Sequence, residues 1–249
     1  MRILIVRHAE PDYKNNTLTE KGFREADMLG KYLKDEKIDK IFVSSLPRAI
    51  YTADGITRYN ATKTYEVCDW LREMDPRIDL PYDTERLSWD LAPTYLNAED
   101  KLYDKDEWKN VKSMNNAELQ SRVAELNEKL NETLKKFGYE KNGKTYKAVQ
   151  PNHLTLVFVC HFGAESYMLA NLLNISPVAL SNHTCARPSS VTTLYTEERE
   201  KGEAIFRMIE FGSVNHLLVS NEAPSFMARF DEVYGDGNQE YKKVINLKK

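Results

Sequence analysis

Apolar positions fall into continuous short runs and helix-spaced stripes. Residues 3–6 are all apolar, the pattern of a strand buried on both faces. A polar loop follows. Over residues 18–33, Phe23, Ala26, Leu29 and Leu33 recur at spacings of three and four, which is helical. Two start signals compete there: Thr19 as a direct cap, or Thr17 with Glu20 as a capping box. Residues 41–43 form a second apolar run, ending at Ser44 and Ser45. Pro47 then suits the first turn of a helix reaching about Arg58. Strand, helix, strand, helix in that order predicts a parallel sheet in an α/β domain.

Regularity fails over residues 74–116, where Pro76, Pro81 and Pro93 interrupt the chain. Such stretches are lids, binding segments or disordered, and the tryptophans and tyrosines here favour order. Leu119, Val123, Leu126, Leu130, Leu134 and Phe137 then mark a long helix, with Gly138 as its C-terminal cap. Residues 154–160 read as a third buried strand, followed by His161 and a helix over 164–173. Residues 191–195 and 204–211 read as two more strands around a charged turn at 197–202. The last stretch is polar and expected to be peripheral, with Lys242, Lys243, Lys248 and Lys249 as a solvated tail. The chain shows no internal repeat.

The 249 residues carry 35 basic and 38 acidic groups, a net charge of −3. A chain of this length can hide about 70–75% of its unfolded surface, so a sizeable core is feasible. No apolar run approaches the roughly 20 residues of a membrane span. The opening run is too short for a secretory signal, whose apolar region takes about 7–15 residues. Cys68, Cys160 and Cys185 are far apart and form no CxxC pair, which disfavours a zinc ribbon and makes a reduced, cytoplasmic protein the simplest reading. The slight acidity disfavours a nucleic-acid partner. The charge is also uneven. Residues 66–107 sum to −8 and the rest of the chain to +5. Trp70 and Trp89 lie in the acidic stretch and Trp108 directly follows it.

The chemistry-bearing residues sit at the ends of the buried runs. Arg7 and His8 follow the first, Arg48 follows the second, and His161 follows the third. Residues just past the C-terminal ends of parallel strands line the ligand crevice. Guanidinium forks bind phosphate oxygens in pairs, and a neutral imidazole is a nucleophile toward phosphorus. Neighbouring arginines disfavour protonation of that imidazole. Arg7, Arg48 and His161 would neutralise the equatorial phosphoryl oxygens without a metal. A general acid must still protonate the leaving oxygen. Glu73 is the best placed carboxylate, with Asp69 and Asp75 as competitors.

In this set and order the sequence resembles the histidine phosphatase superfamily, the phosphoglycerate-mutase-like proteins. Arg7-His8-Ala9-Glu10 resembles the family's RHG/RHA signature, and Leu18-Thr19-Glu20-Lys21-Gly22 its LTxxG helix start. Ser44-Ser45-Leu46-Pro47-Arg48-Ala49-Ile50-Tyr51-Thr52-Ala53 is similar to SSxxxRAxxTA. Leu71-Arg72-Glu73 fits the LxE that carries the acid, and Val159-Cys160-His161-Phe162-Gly163 stands where the family has its second histidine. Ser189-Ser190-Val191-Thr192 and Asn215-His216-Leu217 resemble its later elements. The resemblance implies a phosphohistidine at His8, a phosphate pocket of Arg7, Arg48 and His161, and Glu73 as proton donor. It also implies a three-layer α/β/α sandwich with a mostly parallel central sheet, a single domain over 1–249, and a substrate cap inserted at about 74–116.

The sequence departs from the family at Ala9, where Gly is frequent, and at Phe162, which follows His161 in place of Gly. Lys14 stands where mutases carry an Asn, with Asn15 and Asn16 out of register. These departures favour hydrolysis of a small phosphate monoester by a metal-independent phosphatase. A mutase-type phosphotransfer isomerase is the alternative, and a non-catalytic phospholigand-binding module a third reading. The expected partner is a small phosphorylated metabolite, with compact monophosphates favoured over polyanions because of the acidic middle segment. No cofactor, metal, nucleic acid or membrane is expected, and a homodimer is left open. Glu10 and Asp12 are expected to be solvated loop carboxylates, with orienting the nucleophile loop as the alternative. His153 and His183 are expected at the surface, His216 as a structural residue, and Cys160 as a small apolar one. Tyr82, Trp89, Tyr95 and Trp108 either stack on a substrate ring or form the cap's own core.

Overall fold

The computed structural model describes residues 1–225 and residue 227. The chain opens with strands β1 (Arg2–Arg7), β2 (Pro11–Asp12) and β3 (Thr17–Leu18), then helix α1 (Glu20–Tyr32). Next come β4 (Lys40–Ser44), α2 (Pro47–Tyr59), β5 (Glu66–Cys68), α3 (Pro93–Ala98) and α4 (Ala117–Lys136). The remainder is β6 (Tyr139–Asn142), β7 (Thr145–Ala148), β8 (Thr155–Cys160), α5 (Phe162–Leu173), α6 (Pro177–His183), β9 (Val191–Glu200), β10 (Glu203–Ser213) and α7 (Asn215–Leu218). The lysine tail lies outside the described residues.

An eight-stranded sheet runs β5-β4-β8-β1-β9-β10-β7-β6. The strands predicted from apolar runs, β1, β4 and β8, lie side by side and parallel at its centre, with β8 between the other two. β5 extends this block in parallel, and the β9–β10 hairpin and the β6–β7 hairpin extend the other side. Only β7 and β9 run against the other six strands.

Alternate side chains of β1 explain the layers. Leu4 and Val6 pack with Leu29, Leu33, Ala49, Ala53 and Ile56 of the α1–α2 layer. Ile3 and Ile5 belong to the opposite core, with Leu119, Leu126, Leu130 and Leu134 of α4 and Ala164, Met168 and Leu172 of α5. The fold is thus α/β with helices on both faces of the sheet. Met74, Ile78, Leu80, Leu96, Trp108 and Met114 of the irregular segment join this second core. Segment 74–116 therefore sits on the α4–α5 side.

Thr19 resolves the competing helix starts: its hydroxyl accepts from the Gly22 N–H, 3.0 Å. Asn116 caps α4 in the same way at Leu119. Gly138 follows the end of α4 with φ +93°. The charged turn expected at 197–202 is narrower, because β9 continues to Glu200 and Lys201 and Gly202 alone make the reversal. Gly202 supplies the positive φ, +82°, that a two-residue hairpin demands. The β6–β7 hairpin reverses likewise, with Gly143 at φ +60°.

Candidate active site

The C-terminal ends of β1, β4 and β8 meet at one edge of the sheet and carry every residue of the predicted constellation except Glu73. Register fixes the approach: Arg7 pairs with Cys160, and the His8 N–H donates to the Cys160 carbonyl, 2.9 Å. Ser189 donates its N–H to the His8 carbonyl, 3.0 Å, from a left-handed conformation with φ +59°. Beyond His8, the Ala9 N–H donates to Thr52 Oγ1, 2.9 Å, and the Thr52 hydroxyl donates to the Arg48 carbonyl, 2.8 Å. Thr52 thereby couples the loop after β1 to the first turn of α2. Gly22 lies so close to this loop that a Cβ there would meet the Glu10 carbonyl oxygen at 2.2 Å.

His8 and His161 face each other with ring centroids 5.0 Å apart. His8 is 1% exposed and His161 fully buried. Nδ1–H of His8 donates to the Ala9 carbonyl, 2.7 Å. A carbonyl only accepts, so the proton is on Nδ1 and Nε2 keeps its lone pair. Burial, then Arg7, then Arg48, hold the His8 imidazole well below its usual pKa. His161 Nε2 lies 2.7 Å from Ser44 Oγ, and that oxygen accepts from the Leu46 N–H, 3.3 Å. With the Ser44 hydroxyl donating to Nε2, the proton of the neutral ring stands on Nδ1, which is buried without a protein partner. Burial and the neighbouring His8, Arg48 and Arg7 keep His161 neutral as well.

Arg7 is anchored by Nη1–H donating to the Ala186 carbonyl, 2.5 Å, and its guanidinium lies 5.7 Å from the Phe162 ring centre. Arg48 sits in the first turn of α2, 5.5 Å from the ring centre of Tyr13. Nε of both arginines is buried without a protein partner. These donors, Nδ1–H of His161 and the N-terminus of α5 suit an anion with several oxygens.

Glu73 reaches the same place from the turn after β5. Its Oε1 accepts from its neighbour Met74 N–H, 2.9 Å, and from Ala164 N–H in the first turn of α5, 3.1 Å. Burial raises its carboxyl above the ordinary range, opposed by the two N–H groups and by Arg7 and Arg48. The competitors Asp69 and Asp75 are both exposed. A carboxyl inclined to keep its proton beside two arginines and a neutral imidazole is equipped for acid–base chemistry on a bound anion.

The profile of the histidine phosphatase superfamily (branch 1) matches residues 3–205. The chain belongs to the histidine phosphatase superfamily. Solved structures agree on the fold. A phosphoserine phosphatase from Entamoeba histolytica, solved with phosphoserine, is 18% identical with a TM-score of 0.55, over 87% of this chain and 98% of that one. A mycobacterial glucosyl-3-phosphoglycerate phosphatase is 18% identical with a TM-score of 0.55, over 85% and 98%. A putative α-ribazole-5'-P phosphatase from Escherichia coli is 17% identical with a TM-score of 0.54, over 86% and 98%. No curated protein matches the sequence.

The remaining expectations divide between those met and those corrected. Glu10 is an anchor rather than a solvated carboxylate: the Thr19 hydroxyl donates to Oε1, 2.9 Å, and the Ser225 hydroxyl to Oε2, 2.5 Å. Asp12 ends β2, half-buried, and faces the exposed turn that follows, where Asn15 donates both its N–H and its amide to it. The Asn15 and Asn16 side chains lie in that exposed turn. His153 and His183 are exposed and Cys160 is fully buried, as expected. His216 is buried with Nε2 2.9 Å from Ser189 Oγ, a structural tie behind the His8 loop. Among the described residues, no helix is long and apolar enough to cross a membrane.

Ser44 and Thr52 stand in a motif visible in the sequence, but their bonds to His161 and to the Ala9 N–H are not, and Glu165 is not singled out at all. Glu165 is the one charged residue of α5 and is 1% exposed. The Thr192 hydroxyl donates to its Oε1, 2.5 Å, while Oε2 has no protein partner. Burial lifts this carboxyl from 4.5 to about 7. The folded protein thus holds a proton that the unfolded chain releases. Its stabilising effect is full below pH 4.5 and is lost as pH rises through about 7. Glu165→Gln is expected to remove that loss, so its Tm rises relative to the natural chain between about pH 5 and pH 8, an effect of about 3 kcal/mol at most. Thermal melts at several pH values check this; a pH-independent difference contradicts it.

Proposed function

We propose that the chain is a metal-independent phosphomonoesterase that works through a phosphorylated His8. The observation that carries this reading is the tautomer lock on His8, which leaves a neutral Nε2 lone pair among two arginines and a carboxyl. Nε2 attacks the phosphorus while the ester P–O bond breaks, and Glu73 gives its proton to the departing alcohol oxygen. Arg7, Arg48 and Nδ1–H of His161 hold the equatorial oxygens as charge spreads over them. Glu73, now a carboxylate, takes a proton from the water that attacks phosphohistidine. Inorganic phosphate leaves, and both residues return to their starting states.

The preferred substrates are compact monophosphates, because residues 66–107, which include most of the segment on this side of the sheet, carry a net −8. Phosphate release from a panel of monophosphates, bisphosphates and phosphoglycerates tests the reading. Release from monophosphates is expected. Bisphosphates with the best kcat/KM would overturn the preference. A mutase would instead interconvert phosphoglycerates faster than it releases phosphate, and a binding module would bind phosphate without turnover of any ester.

A further inference from the structure

Trp89 lies beside Glu73, the proposed proton donor. A Cβ built on Gly163 would lie 2.3 Å from the six-membered ring of Trp89 and 2.6 Å from Glu73 Oε1. The indole and the proton donor therefore converge on one point above the first turn of α5. Trp89 also meets Phe162 edge to face, with centroids 6.1 Å apart at 86°. Phe162 in turn lies beside the Arg7 guanidinium. One aromatic wall thus runs from the phosphate-binding cation to the acid.

Tyr103 lies at the surface against His183, and the other aromatic residues of the segment pack among themselves or on the core. Tyr82 meets Tyr95 edge to face, and Trp108 meets Tyr167, with Tyr95 and Trp108 both buried. Trp89 alone of this set touches Gly163 and Phe162, and it keeps part of its surface exposed. Its backbone is tethered. The Tyr167 hydroxyl donates to Ser88 Oγ, 3.0 Å, and the Asn182 amide donates to the Ser88 carbonyl, 3.1 Å. Asn182 Oδ1 accepts from the Leu91 N–H, 3.1 Å. The wall is therefore held to α5 and α6, so little ordering is needed when a ligand meets it.

We infer that Trp89 determines specificity and that the substrates are phosphate esters whose alcohol carries a flat, apolar ring. The ring stacks on the indole while the ester oxygen reaches Glu73. This rests on the phosphatase reading. An aromatic contact of this kind corresponds to about 2- to 10-fold in kcat/KM beyond the area it buries.

The test compares benzyl phosphate with butyl phosphate. Both release unactivated primary alcohols, so their intrinsic reactivities are similar and the ring is the main difference. The natural chain is expected to favour benzyl phosphate by about 10-fold. Trp89→Leu, which keeps apolar volume, and Trp89→Ala should both bring the ratio near one, while Trp89→Phe keeps part of it. Inhibition by vanadate should be unchanged in all three. A natural ratio near one, or a ratio unchanged in Trp89→Leu, overturns the assignment. Phosphate release from neither ester nor from 4-nitrophenyl phosphate by the natural chain would overturn the phosphatase reading itself.

Discussion

Replacing His8 by Ala is expected to lower kcat for phosphate release by at least about 10⁴-fold on every ester. The size follows from how the site is built. In the proposed mechanism Arg7, Arg48 and His161 hold and polarise the anion, but His8 Nε2 is the lone pair freed by the bond to the Ala9 carbonyl. His161 cannot substitute, because its Nε2 is already engaged by the Ser44 hydroxyl at 2.7 Å. In the natural chain, a base quench within the first turnover should trap a labelled phosphoenzyme that is stable to base and labile to acid. In His8→Ala that species should be absent, while vanadate binding stays within a few-fold. The methyl replacement removes a ring that is 1% exposed, so a thermal melt must accompany the assay to separate lost chemistry from lost fold. Full turnover by folded His8→Ala would overturn the mechanism.

Glu73→Gln is expected to cost about 10²- to 10⁴-fold in kcat with unactivated alkyl esters. The loss should be much smaller with 4-nitrophenyl phosphate, whose leaving group departs without a proton. The pH profile gives a second readout. Burial raises the Glu73 carboxyl, and its protonated form is the one that donates. In the natural chain kcat/KM for an alkyl ester should therefore fall as pH rises through that raised value. Protonation of His8 removes the nucleophile, but its pKa lies well below 6.5, so the acid limb is displaced downward. Glu73→Gln should erase the alkaline limb and leave the acid limb in place. An unaltered alkaline limb would assign that ionisation to another group.

The centre of the fold is legible because burial on both faces writes itself as uninterrupted apolar runs. β1, β4 and β8 are such runs, and the residues ending them are Arg7, Ser44 and Cys160, beside His8 and His161. The margins are less legible. β5 has one buried residue in three, β6 buries only Tyr139, and β7 alternates over just four residues, too few to stand out from a loop. Their strand character comes from a neighbour to pair with. The acid shows the same limit. Glu73, Asp69 and Asp75 are equivalent as letters, and only the docking of α5, 91 residues away, gives Glu73 its bond to Ala164. Ser44 likewise matters only because β8 lies next to β4. Glu165 did leave a signal, a lone carboxylate in an otherwise uncharged, buried helix. Among the aromatics nothing in local sequence separates Trp89 from Trp108, since which ring meets Gly163 is a property of tertiary packing.

The insertion of β8 between β1 and β4 bears on how the protein comes to exist. Ile3 pairs with Leu156 and Lys40 also pairs with Leu156, so the central pairings close loops of more than a hundred residues. Closing such loops is slow, because their entropy is lost before the contacts repay it. During synthesis His8 and Arg48 emerge long before His161, and no nascent chain shorter than residue 161 holds all the residues of the proposed phosphate pocket. Phosphate affinity should therefore appear late in refolding, after most helical signal has returned.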